Sequence, residues 1–105
     1  AISMKGNYSP EQLEDYHPNA WALLLDSYVT GLSGGTGKTF DWNNWPVVRD
    51  RKLILAGGLT PENVALGIQA TKPFGVDVSS GVEGAVKGVK DTSLVKEFIK
   101  EVRLA

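Results

Sequence analysis

The chain contains no cysteine and one histidine. The absence of cysteine excludes disulfides, thiolate metal ligands and a cysteine nucleophile within these residues. A single histidine leaves few side chains that could complete a zinc site. We therefore expect this chain to bind no metal ion.

An excess of charge of one sign is also missing. Eleven lysine and arginine residues stand against 12 acidic residues, for a net charge of −1, so nothing favours a nucleic-acid backbone or an anionic membrane surface as partner. No run approaches the roughly 18 apolar residues of a membrane span, and the first residues lack the pattern of a signal peptide. We expect no nucleic-acid partner, no membrane partner and a cytoplasmic location.

What the sequence does contain is typical of a globular domain. It has 105 residues, 42% of them hydrophobic and 22% charged, with 12 glycines, which suits one domain or part of one. The chain opens on an apolar run at Ala1 instead of an initiator methionine. We expect it to be a fragment of a longer protein.

Four strand–helix units follow one another along the sequence. Strands are predicted at residues 1–4, 20–25, 52–56 and 74–78 from their apolar runs. Helices are predicted to begin near Ser9-Pro10, at a short segment capped by Asp41, at Thr60-Pro61-Glu62 and after Asp91. In the last helix a single apolar stripe is expected, formed by Leu94, Val95, Phe98, Ile99 and Val102.

This alternation predicts an α/β fold with parallel strands joined by right-handed crossovers. Two closures are possible: an open, doubly wound four-stranded sheet, or half of an eight-stranded barrel, which needs about 200 residues or more. Both place their sites after the carboxyl ends of the strands.

Polar residues and glycines gather at those ends. Asp26 closes an apolar strand and could act as a general acid, whereas Asp77 could equally be a structural carboxylate or a substrate contact. The segments Gly57-Gly58 and Ser79-Ser80-Gly81 could direct backbone N–H groups at a phosphate, or could simply permit tight turns. The two segments lie one strand–helix unit apart, and this spacing favours phosphate binding.

The segment Gly34-Gly35-Thr36-Gly37-Lys38-Thr39 invites comparison with a nucleotide-binding P-loop. That motif requires a glycine five positions before its Gly-Lys pair, and Leu32 stands there instead. A loop that closes over an active site is the favoured interpretation, and a P-loop hydrolase is the weaker alternative.

Taken in order, three segments resemble phosphoribosylanthranilate isomerase. They are Leu23-Leu24-Leu25-Asp26 with the glycine loop and Phe40-Asp41-Trp42; Leu55-Ala56-Gly57-Gly58-Leu59-Thr60-Pro61-Glu62-Asn63-Val64; and Gly75-Val76-Asp77-Val78-Ser79-Ser80-Gly81-Val82-Glu83. The pair Lys90-Asp91 before the last helix also fits. This resemblance covers nearly the whole chain.

The resemblance implies a (β/α)8 TIM barrel, of which residues 1–105 would be the C-terminal half, with strands five to eight. It implies an Amadori rearrangement in tryptophan biosynthesis, in which N-(5-phosphoribosyl)anthranilate becomes 1-(2-carboxyphenylamino)-1-deoxyribulose 5-phosphate without metal or cofactor. The expected partners are this phosphorylated small molecule and the N-terminal half-barrel.

For the site residues, the resemblance implies that Asp26 is the general acid and that Asp77 contacts the substrate. It implies phosphate binding by Gly57, Gly58, Ser79, Ser80 and Gly81, and places Gly35 in the loop over the substrate. The family's general base is a cysteine on strand one, which this chain lacks, so we expect the chain alone to be inactive. An autonomous phosphate-ligand binding domain without catalysis remains the alternative.

Overall fold

Four parallel strands form one sheet and follow each other across it in chain order. The structure is a computed structural model, and it describes residues 2–3, 19–27, 42, 45–46 and 51–105. The elements are β1 (Ile2–Ser3), β2 (Ala22–Asp26), β3 (Lys52–Ala56), α1 (Val64–Thr71), β4 (Gly75–Val76), a 3-10 turn (Ser80–Val82) and α2 (Thr92–Leu104). The α/β class with parallel strands is thereby confirmed.

The centre of the sheet is the pair β2 and β3, which runs in register from Ala22 opposite Lys52 to Asp26 opposite Ala56. A doubly wound sheet reverses its strand order at a switch point. The four described strands show no reversal, since their order is β1-β2-β3-β4. A barrel adds every strand on the same side, so this order is the one that the barrel alternative requires.

The two faces of the sheet are covered to different extents. On one face Leu23, Leu25, Leu53 and Leu55 are buried, and α1 packs against β3 there. Leu55 joins Leu59, Val64, Val82 and Phe98 in the main hydrophobic cluster. On the opposite face Leu24 and Ile54 are only partly covered.

Helix α1 begins later than the sequence predicts. The expected cap at Thr60 is wrong, because the helix begins at Val64 after a turn in which the amides of Asn63 and Val64 donate to the Thr60 carbonyl. The Asn63 side chain accepts from the Thr60 amide at 2.8 Å and donates to the Gly58 carbonyl at 2.9 Å. An amide that bridges a tight turn in this way gives no capping pattern in the sequence.

Helix α2 begins as predicted. The Asp91 side chain accepts from the amides of Ser93 at 2.8 Å and Leu94 at 3.2 Å, which are free donors in the first turn of a helix. The rest of the predicted stripe packs against the core, whereas Ile99, which shares its helical spacing, is 44% exposed.

Strand β4 is shorter than the predicted span of residues 74–78. Ladder pairing is limited to Gly75–Val76, although the amides of Phe74 and Asp77 still donate to the carbonyls of Leu53 and Leu55. At the amino edge of the sheet, the Phe74 ring meets Trp21 edge to face at 5.2 Å, and the Lys52 ammonium lies 4.7 Å from the Trp21 ring.

Three predicted features lie outside the described residues: the helix after Ser9, the glycine loop and the cap at Asp41. In the part of the chain that the structure describes, no helix has the length and apolar character needed to cross a membrane.

Candidate functional site

The carboxyl ends of β2, β3 and β4 meet around a cavity of about 280 Å³. Because parallel strands end at the same edge, side chains and turns that are distant in sequence converge there. The cavity is lined by Leu24, Asp26, Ala56, Gly57, Gly58, Leu59, Asp77, Val78, Ser79, Ser80 and Gly81. Every predicted site residue in the described ranges is among them; Gly35 lies outside those ranges.

The two carboxylates approach this cavity from either side of β3. Asp26 is the last residue of β2, on the same face as Leu24, and its side chain is half-buried. Asp77 follows β4, held by the bond from its amide to the Leu55 carbonyl at 2.8 Å, and its side chain is exposed. A proton donor and an anionic contact could therefore act on one small molecule.

The Gly57-Gly58 turn leaves β3 with a backbone that favours glycine. The φ angles are 90° at Gly57 and 69° at Gly58, a region that residues with a Cβ rarely adopt. Leu59 is buried behind the turn, and the Asn63 amide holds the Gly58 carbonyl. The end of the turn is thus fixed, and backbone N–H groups in such a turn are of the kind that forms anion sites.

The second turn, Ser79-Ser80-Gly81, packs against Leu59, the residue that follows the first turn. A Cβ built at Gly81 would overlap the Leu59 carbonyl oxygen and would lie 2.8 Å from the Leu59 carbonyl carbon. Only glycine allows this approach of one backbone to the other. The two turns are therefore neighbours at one edge of the sheet, as a shared phosphate cradle requires.

Lys90 braces the second turn from outside the cavity. Its ammonium donates to the Ser79 carbonyl at 3.0 Å and to the Glu83 carboxylate at 2.7 Å. These contacts with Lys90, and the bond from the Gly88 amide, hold the pKa of Glu83 below its ordinary value. All four residues of the 87–90 segment are exposed.

The sequence analysis missed two residues that shape this edge, Ser27 and Asn63. Ser27 is fully buried, and its hydroxyl bonds to the Ala56 carbonyl at the end of β3. A hydroxyl residue directly after the terminal carboxylate of a buried strand is the signal that could have found it. The signal for Asn63 is an amide five residues after Gly58, within reach of the turn.

In the described segments, no group of three or more histidine, cysteine or acidic side chains is placed to hold a metal ion. The cavity offers two carboxylates and backbone donors instead. Such an arrangement suits acid–base chemistry on a phosphorylated compound.

Comparison with known proteins places the same residues in a larger context. The sequence model of the family described as N-(5'-phosphoribosyl)anthranilate (PRA) isomerase matches residues 2–101. A curated relative, N-(5'-phosphoribosyl)anthranilate isomerase from Pseudomonas fluorescens, is 54% identical over 89 residues. That alignment covers 85% of this chain and 43% of the relative.

Solved structures give the same result in three dimensions. The crystal structure of phosphoribosyl anthranilate isomerase from Thermotoga maritima is 44% identical, with a TM-score of 0.62, over 80% of this chain and 41% of its own. A second structure, of phosphoribosyl anthranilate isomerase in complex with reduced 1-(o-carboxyphenylamino)-1-deoxyribulose 5-phosphate, is 33% identical with a TM-score of 0.63 and covers 99% of this chain and 47% of its own. The chain thus spans less than half the length of these relatives.

Proposed function

The chain belongs to the N-(5'-phosphoribosyl)anthranilate isomerase family, and from this premise we propose that it is the C-terminal half of an isomerase barrel of tryptophan biosynthesis. The proposed reaction is the Amadori rearrangement of N-(5-phosphoribosyl)anthranilate to 1-(2-carboxyphenylamino)-1-deoxyribulose 5-phosphate. The observation that carries this proposal is the single cavity formed by Asp26 and the two glycine turns.

The proposed roles follow from what each group can do. The Asp26 carboxylic acid donates a proton to the furanose ring oxygen while the ring C–O bond breaks and the nitrogen lone pair forms a Schiff base. A base removes the C2' proton to give an enolamine, which tautomerises to the ketone. These steps need proton transfer alone, so the proposal includes no cofactor.

The substrate's phosphate is proposed to lie between Gly57-Gly58 and Ser79-Ser80-Gly81. Support comes from the contact of the two turns through Gly81 and Leu59, and from the general use of backbone N–H groups as anion donors in barrels. Asp77 lines the same cavity and is proposed to contact the remainder of the substrate. The relative solved with a reduced deoxyribulose 5-phosphate compound supports this substrate class.

The half-barrel part of the proposal rests on the edges of the sheet. Within the described residues, β1 pairs with β2 alone and β4 pairs with β3 alone, and a closed barrel leaves no strand edge unpaired. The partly covered face with Leu24 and Ile54 would become the barrel interior. The partner that completes it is the N-terminal half, which carries the cysteine base, and we propose that both act in the cytoplasm.

Complementation tests this proposal. The chain is mixed with a separately produced N-terminal half that bears the cysteine, and turnover of N-(5-phosphoribosyl)anthranilate is followed. We expect activity from the mixture and none from either half. In the mixture, Asp26→Asn should lower turnover by about 10²- to 10⁴-fold, since general acid catalysis is worth that much and the change removes a proton but little volume.

The matched control is Asp91→Asn. It removes one carboxylate outside the cavity and keeps a good helix cap, so turnover should change little. Near-normal turnover of the Asp26 variant would contradict the assignment of the acid. A chain that stays a compact, cooperatively unfolding monomer and gives no activity with the N-terminal half would instead favour an autonomous phosphate-binding domain.

A further inference from the structure

Ser27 is the one fully buried polar residue among the segments that the structure describes. It comes directly after Asp26, where β2 ends, and it reaches across to the end of β3. Its amide donates to the Ala56 carbonyl at 2.7 Å, and its hydroxyl donates to the same carbonyl at 2.8 Å. The Gly57 carbonyl lies 3.3 Å from the hydroxyl oxygen.

The Ser27 hydroxyl has hydrogen-bond partners both for its proton and for its oxygen. A serine hydroxyl has one proton to donate and two lone pairs. The Trp42 indole N–H points at the oxygen from 3.5 Å, as a weak donor. The proton is therefore directed at the Ala56 and Gly57 carbonyls, with the shorter bond to Ala56.

These two carbonyls mark the point at which the chain changes direction. The β2–β3 ladder ends at the pair of Asp26 and Ala56, and the positive φ of Gly57 starts the glycine turn immediately afterwards. A hydroxyl that holds both carbonyls fixes the planes of the peptides on either side of Gly57. It thereby restricts the direction in which the N–H groups of Gly57 and Gly58 point.

We propose that Ser27 is a positioning residue that fixes the Gly57-Gly58 turn relative to Asp26. Ser27 does not line the cavity itself; it contacts the lining residues Ala56 and Gly57, and it acts through the turn on the substrate's phosphate. The identity of the ligand in this inference rests on the proposed function. The hydrogen bonds of Ser27 are independent of it.

The test uses the full-length enzyme that contains this chain, with Ser27→Ala and Ser27→Cys. Cysteine keeps the shape of the side chain but is a weak donor, so it separates the loss of the hydrogen bond from the loss of packing. The control is Ser93→Ala, which removes an exposed hydroxyl on α2. The first readout is the NMR order parameters of the Gly57 and Gly58 amides, and the second is the affinity for inorganic phosphate together with KM and kcat.

In both Ser27 variants we expect the order parameters of the two glycine amides to fall from about 0.85 towards about 0.6. Phosphate affinity should weaken by roughly 5- to 10-fold, which corresponds to the loss of one ordinary hydrogen bond. KM should rise by a similar factor, while kcat should stay within about twofold of the wild-type value. This is the pattern expected when an interaction equally strong in the ground state and the transition state is lost. The Ser93 variant should match the wild type.

Unchanged glycine amides in both Ser27 variants would overturn the inference. So would a loss confined to Ser27→Ala with normal behaviour of Ser27→Cys, because packing would then explain the effect. If the wild type binds no phosphate while its glycine amides still depend on Ser27, the proposed function fails and the positioning role of Ser27 stands.

Discussion

Replacing Gly81 by alanine tests how closely the two turns of the site must approach. The new Cβ would overlap the Leu59 carbonyl oxygen and would lie 2.8 Å from its carbon and 3.2 Å from the Thr60 Cα. An ordinary contact begins at 3.4 Å, so the carbon alone is about 0.6 Å too close. All three neighbours are backbone atoms, and a side chain cannot rotate away to relieve the overlap.

The backbone must therefore separate at this contact. Overpacking costs about 1–3 kcal/mol, and a rigid neighbour places this change at the upper end. For the proposed complete barrel, which would have about 200 residues, a loss of about 3 kcal/mol lowers Tm by roughly 6 to 12 °C. Because the donors on the two turns would move apart, affinity for inorganic phosphate should fall by about tenfold or more.

Thermal unfolding and phosphate titration of the full-length protein measure both effects. Gly75→Ala is the matched control, since a Cβ there would lie 3.9 Å from the Ile54 Cγ1 atom, an ordinary contact. We expect that variant to stay within about 0.5 kcal/mol of the wild type. If Gly81→Ala kept both its Tm and its phosphate affinity, the two turns would not be in the contact described, and the shared cradle would lose its basis.

Two further changes test the segment that supports the second turn. Lys90 lowers the pKa of Glu83 in the folded protein. The ion pair therefore stabilises the fold at any pH above the ordinary carboxyl range near pH 4. This stabilisation is lost as the pH falls through the lowered pKa of Glu83. Glu83→Gln should thus have a lower Tm than the wild type at pH 7, and the two Tm values should become equal in acid. A Tm difference that persists at pH 2 would contradict the proposed role of the ion pair. Asp91→Ala should cost about 1 kcal/mol by leaving the first amides of α2 without their acceptor, whereas Asp91→Asn, measured in the same denaturant titration, should cost far less.

Much of this architecture could be predicted from apolar runs and cap residues. The strand Lys52–Ala56 and the cap at Asp91 are found as predicted. The convergence of Asp26 with the glycine turns followed from one rule, that parallel strands end at one edge. The roles of these residues in binding and catalysis stay predictions.

The rest depended on contacts between residues distant in sequence. Thr60 looks like a helix cap, but Asn63 organises the turn through bonds to Gly58 and Thr60. Ser27 has its buried hydrogen-bond acceptor only because Ala56, 29 positions away in sequence, ends the neighbouring strand. Ile99 shares the helical period of the buried stripe, yet the described neighbours do not cover it. Periodicity identifies the apolar face of a helix, and only tertiary packing decides how wide a strip of it is covered.

The aromatic pair at the amino edge has a spectroscopic consequence. Trp21 is 67% exposed and sits with Phe74 and Lys52 at the end of the sheet away from the cavity, whereas the Trp42 indole points at Ser27 close to the carboxyl edge. The chain therefore carries intrinsic fluorophores at both ends of its strands. Iodide quenching should act mainly on Trp21, and the quencher-resistant emission should come from the partly buried Trp42 and Trp45, of which Trp42 contacts Ser27 near the site.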